Sequence, residues 1–414
     1  MKVLYSMSED HSTITPAVIN AQVGMKAYKY QSIEELSRIE DVWKDFMKSP
    51  RGDYDLYLNE IQSKEEIISP FVVLITDQDI PQALMVSMIE KKPLAFALSY
   101  KSIKGPTLRV LRIVFLEIVG DQQERCARCL VSQLISCLQR KEADIINIEN
   151  IALDSVFYKT AITKPGFFAH DFSPVIETHW EFFLPESLND VYKILSSKQK
   201  HELFRKERKF HKKYAENVEF KSFHRIEDIA KICHYSEKVA RKSVKRPLNY
   251  GFKIKNESVG FLTLAAQKGW LRTYFLFVND NPCTFCIGLV YNEILYFYYA
   301  DYDPAYQDCS PGIVLIKYIL ESIFTEKETI KAIDWGTGDI SFKKYLSNHS
   351  TRVASFYVYP GNLYGTLLNV GKVCLVAIQS LGRAIIKKLG LRHYIAHARK
   401  NHILSKYLKN EGLY

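Results

Sequence analysis

The chain has 414 residues, of which 47% are hydrophobic and 25% are charged, and its formal net charge is +10. This is the composition of an ordinary globular protein, and it excludes a chain that is mainly disordered, fibrous or of low complexity. At about 150 residues per domain, the length predicts two or three domains.

The positive charge is concentrated in two segments. Lys198–Lys213 contains eight Lys and Arg residues against two Glu, and Ile340–Asn410 contains twelve Lys and Arg residues with no Asp or Glu. The rest of the chain is therefore mildly acidic. Basic segments of this kind attract phosphate groups, nucleic acid or anionic lipid.

The N-terminal segment lacks the apolar core of a signal peptide, and there is no run of about 20 uncharged apolar residues. We therefore expect a cytoplasmic protein with reduced cysteines. Cys126 and Cys129 lie in a predicted amphipathic helix. Cys283 and Cys286 lie in a predicted strand, where side chains three residues apart point to opposite faces. We expect structural thiols and no metal site.

One pattern of elements occurs twice along the chain. In the first half, two strands flank a turn at Gln78–Pro81, another strand follows, and a helix is predicted over Asp121–Lys141. A buried strand, Ala143–Ile151, comes next. A strand that begins at Pro174 closes this half.

In the second half, three strands are separated by turns at Asp280–Pro282 and Asn292–Glu293. A loop then leads to a helix that begins at Pro311 and runs to about Thr325, with Ser310 as its N-cap, and two strands follow. Helices are also predicted ahead of these strands, around 188–214, 226–243 and 257–268. The order predicts a mixed α/β sheet, and no glycine-rich turn of a dinucleotide fold follows the first strand.

Three segments of the second half carry a resemblance to a known family. They are Leu195–Phe210, Tyr299–Leu320 and Ile333–Ser347, the last with the pattern Asp-x-Gly-x-Gly-Asp…Lys. Together they resemble the CelD/FemAB-type branch of the GNAT acyltransferase superfamily, and the similarity extends over roughly Phe71–Pro360. The resemblance implies two tandem GNAT-like domains, which we place at 26–186 and 187–360. Two segments lie outside the resemblance: an N-terminal extension, 1–25, and a tail, 361–414, that is predicted to be a basic amphipathic helix.

The resemblance implies transfer of an acyl group from acyl-CoA to an amine. We expect the acceptor to be an amino sugar or a related amine of envelope or polysaccharide biosynthesis. The alternatives are an aminoacyl-tRNA-dependent transferase of the FemAB kind and a non-catalytic GNAT-fold binding protein. The chain departs from the superfamily pattern at one place, because Asp308–Gly312 replaces the pyrophosphate loop Gln/Arg-x-x-Gly-x-Gly.

The candidate site residues fall into two groups. Ser310, Gly312 and Ile313 begin a helix, whose unpaired N–H groups and positive dipole end predict a site for the phosphates of CoA. Asp334 and Asp339 lie at the end of the next strand and are expected to take up the proton of the acceptor amine. The residues expected to contact substrate are Asp301, Asp303, Tyr306 and Lys343. Turn formation before Pro304 is the alternative role for the first two, and an exposed helix face is the alternative for the last.

Both basic segments leave their partner open. The helix Lys198–Lys213 could bind tRNA, an anionic glycan, a lipid or the phosphates of CoA. In the tail, apolar residues recur every three or four positions and would form one stripe on a helix. Such a helix could lie on an anionic membrane as a peripheral contact, or it could pack on the folded core. The stripe comprises Leu363, Leu367, Val370, Cys374, Ile378, Leu381, Ile385 and Leu389.

Overall fold

The fold is taken from a computed structural model of the chain. It describes residues 17–20, 24–98, 101–119, 123–214, 217–243, 245–246, 250–326, 328–338 and 341–388. The strands of the first half are β1 (Ala17–Asn20), β2 (Met25–Tyr30), β3 (Ile67–Asp77), β4 (Ile80–Leu98), β5 (Lys101–Ile118), β6 (Ile145–Ala152) and β7 (Val175–Phe183). Its helices are α1 (Ile33–Ser37), α2 (Glu40–Phe46), α3 (Tyr54–Ser63), α4 (Gln123–Gln139) and α5 (Val156–Thr163).

The second half repeats this order. Its strands are β8 (Val218–Phe223), β9 (Leu271–Val278), β10 (Asn281–Tyr291), β11 (Ile294–Tyr302), β12 (Ala332–Thr337) and β13 (His349–Val358). Its helices are α6 (Leu188–Ile194), α7 (Ser197–Tyr214), α8 (Ile229–Ala240), α9 (Asn256–Gln267), α10 (Pro311–Thr325), α11 (Ser341–Tyr345) and α12 (Leu363–Lys388). The predicted strand pattern and the helix that begins at Pro311 are confirmed. The segment 188–214 forms two helices because Leu195 has extended backbone.

The described strands form one mixed sheet, in the order β1-β2-β3-β4-β5-β6-β13-β7-β12-β11-β10-β9-β8. The expected mixed α/β fold is confirmed. The strand β7, expected to close the first half, instead lies between β12 and β13 of the second half. In return β13 pairs with β6 of the first half. The two halves thus exchange strands, and this exchange makes the sheet continuous.

Each half contains one parallel strand pair of only three residues. Val110–Arg112 of β5 pairs with Ile145–Asn147 of β6, and Ile294–Tyr296 of β11 pairs with Ala332–Asp334 of β12. Beyond these residues the two strands of each pair separate. Each half therefore contains a wedge between two parallel strands, at the equivalent position in the fold.

Helices cover both faces of the sheet. In the second half, α7 and α10 pack on one face around Leu203, Phe210 and Leu315, while α8 and α9 pack on the other. Helices α3 and α9 meet across the boundary between the halves. At Gly260 of α9 a Cβ atom would lie 2.7 Å from the Oδ1 atom of Asn59, so a larger residue there would displace the Asn59 side chain.

The cysteine pair of β10 departs from the expected strand geometry. Cys283 has no register partner on β9, where Pro282 pairs with Phe277 and Thr284 pairs with Leu276. This bulge changes the alternation of side chains. Cys283 and Cys286 consequently pack into the same apolar cluster, rather than on opposite faces. The part of the chain that the structure describes holds no group of three or more potential metal ligands.

Candidate functional site

The wedge between β11 and β12 is the centre of the candidate site. Tyr296 and Asp334 are the last paired residues. Two residues further along β11, Tyr298 is the extra residue of a bulge. Phe297 pairs with Gly288 of β10, and Tyr299 pairs with Ile287, the residue that precedes Gly288. Tyr298 therefore has no register partner on either neighbouring described strand. A bulged residue leaves its backbone polar groups outside the ladder, where a ligand can reach them.

A carboxylate and an imidazole meet beside this wedge. The Nε2 atom of His179, on β7, lies 3.1 Å from the Oδ1 atom of Asp334. The same oxygen accepts a hydrogen bond of 2.6 Å from the backbone N–H of Gly336, which fixes the carboxylate. The side chains of Asp334 and His179 are 15% and 23% exposed. Both remain within reach of a substrate, so the pair can take up a proton.

Two further side chains define the electrostatics of this cluster. Lys343 of α11 is buried and donates to the carbonyl oxygen of Thr337 at 2.5 Å. Burial lowers the pKa of Lys343, although the carboxylates of Asp334 and Glu177 oppose this effect. Burial also raises the pKa of Tyr296 to about 12, and the nearby Asp334 carboxylate adds to the rise. The phenol of Tyr296 is thus protonated at neutral pH and can donate a hydrogen bond or a proton.

The turn before α10 leaves free space in front of the first residues of the helix. Ser310 occupies the N-cap position with φ of +51°, and its side chain makes no capping hydrogen bond, unlike the predicted N-cap. A Cβ atom at Gly312 would meet nothing within 4 Å, so the space above this residue is free. The N–H of Ile313 donates to the Ser310 carbonyl at 3.0 Å. In the first helical turn the Gly312 N–H has no intrahelical acceptor and is the donor left for an anion.

The basic helix α7 lies beside this turn. The Nζ atom of Lys209 donates to the carbonyl oxygen of Asp308 at 2.7 Å. A hydrogen bond from Lys213 to Tyr214 raises the pKa of Lys213, and the Asp308 carboxylate adds to the rise. The C-terminal part of α7 therefore brings two ammonium groups to the predicted phosphate-binding turn. Sequence reasoning had left the partner of this basic segment open.

The predicted substrate residues at the end of β11 are held by other protein groups. Asp303 accepts from the N–H of Ala305 at 3.0 Å and from Nζ of Lys242 at 2.7 Å. Asp301 accepts from Oγ of Ser243 at 2.6 Å, and both carboxyl groups are buried. These contacts fit the alternative of turn formation, and a substrate role for either residue stays a prediction.

The other predicted residues to be located are Tyr306 and Asp339. The ring of Tyr306 packs against Tyr214, with centroids 5.3 Å apart, beside the α10 turn. Asp339 lies outside the described residues. Of the predicted set, Asp334 and Lys343 are close enough for the carboxylate to influence the Lys343 ammonium, whereas Tyr306 and the α10 turn lie at the far end of β11.

Sequence reasoning missed His179, Tyr296 and Tyr298. A signal for the first was present in β7, where the charged or titratable residues Glu177, His179 and Glu181 occupy every second position. Such alternation predicts that one face of a strand is polar. A polar face in the interior of a large sheet indicates a site, because buried polar groups need partners.

A cleft opens from the wedge towards the first half of the chain. It has a volume of about 360 Å³ and lies between α3, α9 and β11, and Tyr298 forms part of its wall. Arg112 in this wall is held by Glu60 at 2.8 Å. The remaining polar wall includes Glu149, whose Oε1 atom accepts from the amide of Asn147 at 2.7 Å. The cleft thus combines carboxylates, basic side chains and aromatic rings.

The buried thiols are not suited to nucleophilic catalysis. Burial raises the pKa of Cys126 to about 11 and that of Cys283 to about 12. These thiols are protonated at neutral pH, whereas the thiolate is the reactive form. Cys374 of α12 is the one exposed cysteine, and it lies outside the wedge region.

The wedge and the predicted phosphate-binding turn before α10 both lie in a segment that matches a known domain. Residues 197–344 match the family model described as acetyltransferase (GNAT) domain. This part of the chain is therefore similar to GNAT acetyltransferase domains. The protein is accordingly an acyltransferase, and the predicted relationship to the GNAT superfamily is confirmed. No curated protein sequence matches the chain.

Three solved structures resemble the chain over both of its halves. A tandem GNAT protein from the clavulanic acid biosynthesis pathway has a TM-score of 0.50 and 8% identity, over 81% of this chain and 99% of that chain. FemX has a TM-score of 0.48 and 9% identity, over 79% and 96%. A GCN5-related N-acetyltransferase from Sphaerobacter thermophilus has a TM-score of 0.45 and 8% identity, over 82% and 97%. The first of these supports the tandem GNAT fold of the chain.

Proposed function

We propose that the protein transfers an acyl group from acyl-CoA to the primary amine of an amino sugar or a related amine of envelope polysaccharide biosynthesis. The observation that carries the proposal is the wedge between β11 and β12. It contains Tyr298, which has no register partner, and like the N-terminus of α10 it lies within the residues that match the GNAT domain.

The α10 turn fits the phosphate groups of CoA. Helix N-termini attract anions through their free N–H groups and the helix dipole. Here a Cβ atom at Gly312 would meet nothing within 4 Å, and Lys209 and Lys213 lie beside the turn. One glycine therefore serves in place of the glycine-rich loop of the superfamily pattern, with α7 adding positive charge. The bound CoA ester would supply the activated acyl group.

The groups around the wedge have the properties that acyl transfer needs. The amine nitrogen forms a bond to the thioester carbonyl carbon, the carbon–sulfur bond breaks, and the amine loses a proton. Asp334 with His179 is the acceptor for that proton. The protonated phenol of Tyr296 is a donor for the departing thiolate. The unpaired backbone at Tyr298 is available to stabilise negative charge on the carbonyl oxygen.

The cleft beside Tyr298 is the proposed acceptor site. Its volume of about 360 Å³ lies within the usual range for small-ligand pockets. Glu149 would attract an acceptor ammonium group, while Phe261 and Tyr298 offer aromatic surfaces for the apolar face of a sugar ring. A mixed wall of this kind favours a small polar amine over a long apolar chain.

The proposal is tested with CoA binding and thiol release. Calorimetry with CoA should show one binding site, and acetyl-CoA with a panel of amino sugars should release free thiol. The Cys374→Ser variant is used for the thiol assay because Cys374 is exposed and would react with the reagent. Glu149→Gln should raise KM for the amine and leave CoA affinity unchanged. A protein that neither binds CoA nor releases thiol with any amine would contradict the proposal.

A further inference from the structure

Helix α12 presents an apolar stripe to solvent. Over its 26 residues, one side chain in every three or four is large and apolar. The structure therefore does not support the alternative that the stripe packs on the core. The exposed members are Leu363, Leu367, Val370, Ile378, Leu381 and Ile385, each between 44% and 76% exposed, together with the exposed Cys374. The predicted eighth member, Leu389, lies outside the described residues.

The opposite side of the helix holds it to the protein body. Asn369 donates to the His170 carbonyl at 2.7 Å and accepts from the Phe172 N–H at 3.2 Å. One turn later, the buried Lys372 pairs with the carboxylate of Asp171. At 100° per residue, Asn369 and Lys372 lie on the side of the helix facing away from the stripe. The attachment consequently turns the stripe outwards.

The attachment also determines how the helix can meet a bilayer. Leu363–Gly382 has a mean hydropathy of 1.3, and by length and composition alone it could cross a membrane. Lys372 lies at the middle of that segment and is ion-paired to a carboxylate of the protein body. A spanning helix would carry this pair into hydrocarbon at high cost. An orientation parallel to the surface leaves the pair with the protein and buries only the stripe.

We propose that α12 docks the protein on an anionic lipid bilayer, with its apolar stripe inserted at the boundary of headgroups and acyl chains. Charge complementarity selects this occupant, because Arg383–Asn410 contains eight Lys and Arg residues and no acidic residue. The loop that carries Asp171 adds two exposed aromatic residues, Phe167 and Phe168, at 69% and 60% exposure. The proposal does not depend on the acyl acceptor.

Vesicle binding of the full chain tests the proposal. Wild-type protein should sediment with mixed phosphatidylserine–phosphatidylcholine vesicles at low salt, less at high salt, and not with phosphatidylcholine alone. The triple variant Leu367→Ser/Ile378→Ser/Leu381→Ser should bind the mixed vesicles at least about ten-fold more weakly, since three inserted side chains lose their apolar contact. The matched control, Ile68→Ser/Ile80→Ser/Ile254→Ser, removes three apolar residues of 51–61% exposure elsewhere and should bind like wild type.

Cys374 provides a local readout on the stripe itself. Mixed vesicles should slow maleimide labelling of Cys374 in the wild type and should not slow it in the triple variant. Equal sedimentation of the triple variant and wild type, or no sedimentation of wild type, would overturn the proposal. So would a dimer in light scattering whose Cys374 is already protected without vesicles, because a second copy would then cover the stripe.

Discussion

The imidazole of His179 and the carboxylate of Asp334 meet at 3.1 Å across the boundary between the two halves of the chain. His179 lies on β7, which precedes the second half in sequence, and Asp334 lies on β12 within it. The pair forms because β7 inserts between β12 and β13. A GNAT domain cut out of the second half alone would lack the imidazole, so the strand exchange completes the candidate catalytic pair.

The first half contains a different arrangement at the equivalent place. Arg112 and Asn147 there occupy the positions that Tyr296 and Asp334 occupy in the second half. Arg112 forms ion pairs with Glu90 and Glu60. A guanidinium that is neutralised by two carboxylates cannot accept a proton from an amine. The geometry therefore favours catalysis in the second half and a supporting role for the first.

Replacing Asp334 by Asn should lower kcat by about 10²–10⁴-fold, the usual contribution of a positioned proton acceptor. The amide is close in size to the carboxylate and can still accept from the Gly336 N–H, so the fold should persist. Steady-state kinetics with acetyl-CoA and the best amine provide the measurement, and His179→Gln should show a smaller loss. Asp41→Asn, at an exposed position of α2, is the control. Full activity in the Asp334→Asn/His179→Gln double variant would remove the pair from the mechanism.

Replacing Gly312 by Val should weaken CoA binding by about ten-fold or more, which corresponds to at least 1.4 kcal/mol. A Val side chain would occupy the open space in front of the α10 N-terminus, where a phosphate would lie. Calorimetric titration with CoA measures the effect, and circular dichroism checks the fold. Gly361→Val is the matched control, because a Cβ there also meets nothing within 4 Å. Equal CoA affinity in Gly312→Val and wild type would place the phosphates elsewhere.

Features that depend on neighbouring residues in the sequence were predictable. The turn at Asn292–Glu293 has φ values of +47° and +62°, as a tight hairpin requires. The helix that begins at Pro311 follows from proline in a first turn. The family segment around Asp334 also pointed to one half of the candidate pair.

The rest of the site depends on contacts between distant segments. The location of β7, and with it the meeting of His179 with Asp334, results from pairing with strands more than 140 residues later in the chain. Local patterns carry no information on such pairing. Bulges at Cys283 and Tyr298 likewise arise from the register of neighbouring strands. Strict alternation along a strand therefore gave the wrong face for Cys283.

Replacing Asp301 by Asn should stabilise the protein at neutral pH. The carboxyl group is buried, and its Oδ2 atom has no hydrogen-bond partner among the described residues. Burial raises the pKa of Asp301 above its ordinary value of 3.8. In the unfolded chain the group ionises near 3.8, so the native state loses stability as the pH rises from there through the raised pKa. At neutral pH the native state therefore bears a cost for this buried charge, and Asn removes the charge.

Urea unfolding of Asp301→Asn and wild type at several pH values measures this effect. The gain should be largest at neutral pH and should disappear below 3.8, where the carboxyl group is protonated in both states. Asp41→Asn again serves as the control, since an exposed carboxylate pays no such cost. A stability difference that is independent of pH would show that the charge of Asp301 is not its cause.

Replacing Lys372 by Met should destabilise the protein by about 3–5 kcal/mol, because it leaves the buried carboxylate of Asp171 without its cation. The two side chains are 9% and 1% exposed. Asp171 would keep the N–H donors of Ser173 and Tyr357, which cannot supply the lost charge.

In the Asp171→Asn/Lys372→Met double variant no charge remains buried, so the loss of stability should be smaller than in the single variant. Urea unfolding of the full chain gives the free energy of unfolding of the wild type, the single variant and the double variant. The matched control is Lys26→Met, whose pair with Asp79 is 48% and 68% exposed, so that solvent screens it and its loss should change stability little. If Lys372→Met costs no more than Lys26→Met, the ion pair does not hold α12 to the protein body.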